Sequence, residues 1–331
     1  MKYGLLSGIT WGLNAVILGI ALSMAPYVGT AQAIALGAIV SAFLHDAFAA
    51  GWMTIYMATK GRLNDTLRAL KTRSGKVVMI GALMGGPIGM GGYLVAINHI
   101  GASRSAIIST FYPAFGAFLA FMFLKERMRW YQLLAFVTAL GGIVAMGILS
   151  ATDESINNPV VGLIAISLAV IGWGSEAVFS AWGMRDDAVD NETALHIREI
   201  TSALAYAFIV IPMFGAWAFI FGNEFFSKAN GTILLAALAG TISYIVYYKG
   251  ISIIGAAKTM AVNISYSAWA VLFAFLILGD VPDLITVILC FVILFGTIFS
   301  AADARELFAR RSVSKVEVNV EDTKLELIKQ D

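Results

Sequence analysis

"YLVAINHIGASRSAIISTFYPAFGAFLAFMFL", residues 93–124, aligns without a gap to "YYKGISIIGAAKTMAVNISYSAWAVLFAFLIL", residues 247–278. Paired positions include Tyr93/Tyr247, Ile100/Ile254, Gly101/Gly255, Ala102/Ala256, Arg104/Lys258, Tyr112/Tyr266 and Phe121/Phe275. A second match lies upstream of each stretch. Trp11-Gly12-Leu13-Asn14-Ala15-Val16 and Trp173-Gly174-Ser175-Glu176-Ala177-Val178 both read W-G-x-x-A-V. The chain therefore reads as a duplication, with one copy in 1–150 and the other in 151–302.

What is duplicated is a set of membrane helices. Hydrophobic residues make up 59% of the chain and charged residues 13%, about half the charged share of a soluble domain. The apolar residues come in runs of about 20, the length that crosses a bilayer core as a helix. The expected fold is an all-α integral membrane protein of ten transmembrane helices, near 4–25, 31–58, 77–98, 103–124, 130–150, 159–183, 192–221, 231–253, 258–279 and 283–302. The opening segment ends in Ser-Met-Ala, but Pro26 follows directly, so it is read as a retained helix rather than a cleaved leader. Five crossings per copy is an odd number, so the second copy is expected to be inverted. Inverted repeats place a substrate near the midplane, between the copies.

The basic residues are sorted by loop. With the N-terminus inside, eighteen lie on the cytoplasmic side and only Arg104 and Lys228 on the other. The positive-inside rule then puts both termini in the cytoplasm, with the chain in the cytoplasmic (inner) membrane of a cell. "TKGRLNDTLRALKTRSGK", residues 59–76, reads as a topology signal, with contact to anionic lipid as the second reading. Residues 303–331 form a charged tail, expected to be disordered. No nucleic-acid partner is implied, because the charges behind the net +1 are sorted by loop. Cys290 is the lone cysteine, and His45, His99 and His196 lack the spacing of metal ligands. "GALMGGPIGMGG", residues 81–92, has neither the preceding strand nor the Lys-Ser/Thr of a phosphate loop. Its small residues suit close helix approach, and Pro87 can bend the helix. No cofactor is expected.

Six stretches carry a family resemblance: "GLLSGITWGL" (4–13), "GALMGGPIGM" (81–90), "YPAFGAFLAFMFLKERM" (112–128), "WGSEAVFS" (173–180), "ISYIVYY" (242–248) and "AAKTMAVNISYSAW" (256–269). Over residues 1–302 the chain resembles the EamA-type drug/metabolite transporters, and among them the LicB-type choline permeases. The resemblance implies a secondary transporter importing choline or a related quaternary amine by alternating access. Other members of the superfamily export amino acids, drugs or sugar conjugates, which is the rival reading. A receptor, or an intramembrane enzyme using Glu176 with His45, is a rival from another class, without a recognisable catalytic motif.

A quaternary ammonium offers no N–H, so aromatic faces are what can hold it. Trp11, Trp173, Tyr244, Tyr247, Tyr248, Tyr266 and Trp269 are the candidates, with Trp11 and Trp173 at matched positions suited to face each other. Each has a second reading as packing or as an interfacial anchor. Trp173 and Glu176 are three apart and share a helix face. An acid in the bilayer interior costs about 2.5–3.5 kcal/mol on insertion scales, so Glu176 is expected to touch the cation, carry a proton, or pair with His45 or Arg198. Its counterpart Asn14 supplies a dipole where Glu176 supplies a charge. His45 and Asp46 diverge by about 100° around their helix. They are candidates for proton coupling or charge compensation, or for plain structural pairing. His196, Arg198 and Glu199 read as a helix-entry network or cytoplasmic gate. Pro113 marks a weak point in the fourth helix, and because its counterpart is Ser267 the copies are expected to differ there.

Overall fold

The computed structural model describes residues 1–149, 158–185, 189–222 and 225–301. The tail 303–331 and the junction 150–157 lie outside them. The first half holds α1 (Lys2–Leu22), α2 (Ala31–Thr59), α3 (Leu63–Ala69), α4 (Arg73–Leu83), α5 (Gly91–Ile100), α6 (Ala102–Ser109), α7 (Tyr112–Leu119) and α8 (Trp130–Leu149). The second half holds α9 (Pro159–Gly183), α10 (Asn191–Ala205), α11 (Ile211–Met213), α12 (Trp217–Gly222), α13 (Lys228–Ile254), α14 (Ala256–Asn263), α15 (Tyr266–Leu278) and α16 (Leu284–Ala301). No strand occurs among the described residues. Side-chain caps fix several starts by accepting from the first free backbone N–H groups: Thr30 before α2, Thr72 before α4, Asn158 before α9, Asp190 before α10 and Ser227 before α13.

Seven helical spans are long and apolar enough to cross a membrane by length and composition, and three shorter apolar helices occupy Tyr112–Leu124, Trp130–Ala145 and Leu284–Ser300. Several spans are joined by wide π turns, at Met84–Met90 between α4 and α5 and at Tyr206–Val210 between α10 and α11. A third π turn, Ala120–Leu124, follows α7. Outward-facing side chains are strongly apolar, among them Phe118, Phe121, Leu276, Phe291 and Phe295, whereas the interior holds Asp46, Glu176, Arg198 and Glu199. That distribution suits a hydrocarbon solvent.

Three expectations need correction. The third helix, expected from 77, begins at Arg73 as α4, and the basic segment 59–76 also holds α3. The seventh helix does not run unbroken to 221: it turns at Gly215, whose φ is +60°, and resumes as α12. The fourth helix does break, between α6 and α7, and Pro113 falls in the first turn of α7. The ninth breaks at the matching place, between α14 and α15, with no proline there. The copies therefore agree where Pro113 and Ser267 suggested a difference.

The agreement extends to the packing. α1 lies against α13 and α15, while α9 lies against α4, α5 and α7. α2 packs on α10, and α8 on α16. The contacts of α1 on second-half helices thus mirror those of α9 on first-half helices. At matched crossings, a Cβ on Gly12 would stand 3.0 Å from the Tyr266 carbonyl oxygen, and one on Gly174 would stand 2.7 Å from that of Tyr112. Tyr112 and Tyr266 are themselves a matched pair. Gly101 and Gly255, ending α5 and α13, share one backbone conformation, φ +87° with ψ 159° and φ +88° with ψ 164°. Only glycine adopts such a conformation without strain.

Candidate substrate site

α1, α2, α9, α10 and α13 direct their polar side chains to one buried cluster with Arg198 at its centre. The guanidinium donates through Nε to Glu176 Oε1 at 2.7 Å and through Nη1 to Glu199 Oε2 at 2.8 Å. Nη1 is also 3.5 Å from Asp46 Oδ1, and Nη2 donates to the Tyr244 hydroxyl at 3.3 Å. The Ser202 hydroxyl donates to Asp46 Oδ2 at 2.6 Å. His45 Nε2 stands 3.0 Å from Asn14 Oδ1, and Nδ1 stands 3.5 Å from Asp46. The expected divergence of His45 and Asp46 is what the helix delivers: one turns to α1, the other to α10.

The glycine run of residues 81–92 makes room for this chemistry. A Cβ on Gly85 would collide with the Glu176 carboxylate, and one on Gly86 with the Ser202 hydroxyl. The π turn at Met84–Met90 also leaves the Gly86 carbonyl within reach of the Tyr206 hydroxyl, at 3.2 Å. Small residues here therefore seat charged groups as well as helices.

Aromatic rings form two groups. In one, Trp11 meets Tyr244 edge to face at 5.1 Å, and Tyr244, Tyr247 and Tyr248 pack mutually at 6.2 Å. The Arg198 guanidinium lies 4.7 Å from the Tyr244 ring centre, so one face of that ring already holds a cation. In the other, Trp173 meets Tyr93 at 5.4 Å and Tyr112 at 5.9 Å. Trp11 and Trp173 have no ring contact with each other among the described residues. Trp269 lies apart, its Cβ against Gly12, its indole N–H buried and without a partner.

Of the candidates named from sequence, Trp11, Asn14, His45, Asp46, Glu176, Tyr244 and Tyr247 come together, whereas Trp173 and Trp269 sit in neighbouring positions. Arg198 and Glu199 belong to the centre rather than to an entry network. Their burial, 4% and 0% exposed, could have been signalled by the rarity of such residues inside membrane helices. His196 lies outside the cluster, bonded to Thr54 at 3.0 Å and to Thr66 of the segment 59–76 at 2.9 Å. Nearby, Glu192 takes Lys60 and Arg62 at 2.7 Å each, and Arg62 also pairs with Asp190. Burial favours the neutral acid at Asp190, but the backbone N–H of Thr193 and the Arg62 guanidinium outweigh it and hold that carboxyl below its ordinary range.

Comparison with known proteins places this architecture. Residues 1–148 and 160–302 match the EamA-like transporter family. The chain belongs to that family. Protein LicB of Haemophilus influenzae is 28% identical over 224 residues, covering 66% of this chain and 73% of LicB. A crystal structure 16% identical in sequence superposes with a TM-score of 0.70, over 94% of this chain and 99% of its own. At that identity the likeness speaks for the fold. For an EamA-like transporter, a buried cluster of charges beside aromatic faces is a place where a small cation can shed its water. Aromatic quadrupoles and unneutralised carboxylates both attract it.

Proposed function

We propose that this EamA-like transporter is a secondary carrier that brings choline or a related quaternary amine into the cell by alternating access. The observation that carries the reading is the juxtaposition of the Trp11, Tyr244, Tyr247 and Tyr248 rings with a cluster that holds three carboxylates and one guanidinium. Three carboxylates share a single guanidinium, so acidic groups outnumber basic ones in the cluster. A monovalent cation is the ligand it lacks. In this reading Glu176 both anchors Arg198 and attracts the cation. Displacement of Arg198 from the Tyr244 face is the step that admits the substrate. The resemblance to the LicB-type permeases supplies the substrate class.

The reading includes ten crossings in two inverted five-helix copies, 1–150 and 151–302. The reciprocal packing of α1 and α9, the paired breaks in the fourth and ninth helices, and the two-part family match support it. The sorting of basic residues supports cytoplasmic termini. At that cytoplasmic end, Lys60 and Arg62 tie α2 and the loop after it to Asp190 and α10. Glu126, following the π turn after α7, accepts from the backbone of Ala256 and Ala257 at 3.0 and 2.9 Å and so caps α14. These ties join helices of the two halves at that end. A cation moving inward gains about 2.3 kcal/mol per 100 mV, so the potential alone suffices to drive uptake, and proton coupling through Glu176, His45 or Asp46 adds to it.

The test is competition for binding between choline and 3,3-dimethyl-1-butanol, its uncharged isostere of nearly the same shape. The account expects choline to bind and the alcohol to compete at least 30-fold more weakly. Equal competition would mean that shape rather than charge is recognised. Preferred binding of amino acids or bulky amines would favour the exporter reading.

A further inference from the structure

The register that pairs Tyr93 with Tyr247 also pairs Lys125 with Gly279 and Glu126 with Asp280. Lys125 and Gly279 both end their helices in the left-handed region, at φ +58° and +76°. Each of these turns is followed at once by an acid. The helix starts they could reach are matched as well: Gly255 precedes α14 and Gly101 precedes α6 in one backbone conformation. The missing side chain at Gly255 is what admits the Glu126 carboxylate, whose carbon lies 2.7 Å from where a Cβ would stand.

Occupancy is not matched. Glu126 Oε1 accepts from the Ala256 N–H at 3.0 Å and Oε2 from the Ala257 N–H at 2.9 Å, two of the amides that a helix start leaves without a helical partner. α7 packs on α14 beside them. Asp280, by contrast, is exposed and has no hydrogen bond among the described residues, and α15 is not comparably packed on α6 among those residues. The first amides of α6, on Ala102 and Ser103, equally lack an acceptor within their own helix. Residues 102–124 and 256–278 each run from one end of the bundle to the other. Because Glu126 meets Ala256 at one end, Asp280 and Ala102 both lie at the opposite end.

We propose that Asp280 is a second, alternating latch: when Glu126 releases α14 and that end opens, the Asp280 carboxylate caps α6 and α15 closes onto α6 at the other end. Inverted copies that rock about a pseudo-twofold axis exchange roles. The structure holds the arrangement tied by Glu126, and Asp280 supplies the tie for its counterpart. Asp280 is thus a positioning residue, acting on which end is open rather than on the substrate. This inference rests on the alternating-access reading given above.

Cysteine labelling of the full-length protein in lipid nanodiscs, where both ends are accessible, tests it. Ala257 is 3% exposed beside Glu126, so in a Cys290→Ser background the thiol of Ala257→Cys meets a small charged thiosulfonate only when that end opens. Removing a capping acceptor shifts an equilibrium by roughly 2- to 30-fold. Glu126→Ala is expected to speed labelling by a factor in that range, Asp280→Ala to slow it by a similar factor, and the double variant to return toward the original rate. Labelling unchanged or faster in Asp280→Ala would overturn the proposal, since a residue at the far end reaches position 257 only through a shared equilibrium. A thiol that stays unlabelled in every folded variant yet labels when denatured would overturn it too, because that end would then never open. Should Glu126→Ala not fold, Asp280→Ala, at an exposed position, carries the decisive arm. Uptake of labelled choline is measured alongside in proteoliposomes. Opposite labelling shifts without choline uptake leave the latches standing and remove the substrate reading. Choline uptake with labelling indifferent to Asp280→Ala removes the second latch and leaves the carrier.

Discussion

Tyr244 touches both halves of the site, its hydroxyl accepting from Arg198 and its ring lying beneath the same guanidinium. The two contributions separate by substitution. Tyr244→Phe removes the oxygen and keeps the aromatic face, so choline affinity is expected to stay within about threefold of the wild type. Tyr244→Ala removes the face, and a cation–π contribution of about 0.5–2 kcal/mol corresponds to a loss of roughly 2- to 30-fold. Equal losses in both, measured by equilibrium binding, would mean that the hydroxyl matters and the ring does not. The sequence named Tyr244, Glu176 and Asp46 because ionisable and aromatic groups stand out against an apolar background. It offered Arg198 as one of two partners for Glu176, yet also assigned it to the helix entry. Distance along α10 suggested an end, whereas the helix brings Arg198 against Glu176, 22 residues earlier. Glu199 carried the signal of any ionisable residue within a membrane helix, but its unpartnered oxygen is a property of packing.

At the level of elements, the paired breaks carry the most information. The α6–α7 break contains a proline at the second position of α7, where a missing N–H costs nothing because that group would lack a helical partner anyway. The α14–α15 break occurs without one. Proline therefore accompanies the break and does not cause it; the requirement comes from neighbours such as α1 and α9, which press against Tyr266 and Tyr112 through Gly12 and Gly174. Pro113→Ala is accordingly expected to cost no more than about 1 kcal/mol, the unfolded-chain entropy of one residue, and to leave transport intact. Thermal unfolding and uptake measured together check this. A collapse of uptake with the fold retained would restore Pro113 as a hinge. Helix existence and approximate ends were legible from apolar runs, and the span of α9 matched residue for residue. The π turns and the chain turn at Gly215 were not, because they answer to packing between helices rather than to local pattern.

The whole molecule is an apolar exterior around a charged interior, with contacts that repeat between its halves. The duplication visible in "YLVAINHIG" and "YYKGISIIG" led directly to those reciprocal contacts, since matched residues at matched spacing bury matched faces. The substrate was less legible, because ring identity does not say which rings meet: Trp11 joins the tyrosines of α13, whereas Trp173 joins Tyr93 and Tyr112. The central claim is that a permanent cation crosses this protein inward along the membrane potential. Uptake of labelled choline into proteoliposomes under an imposed inside-negative potential tests it most directly. The account predicts accumulation above the external concentration, collapse of that accumulation when the potential is dissipated, and competition by other quaternary amines. Choline entry no faster than into protein-free vesicles, at any potential, would contradict it.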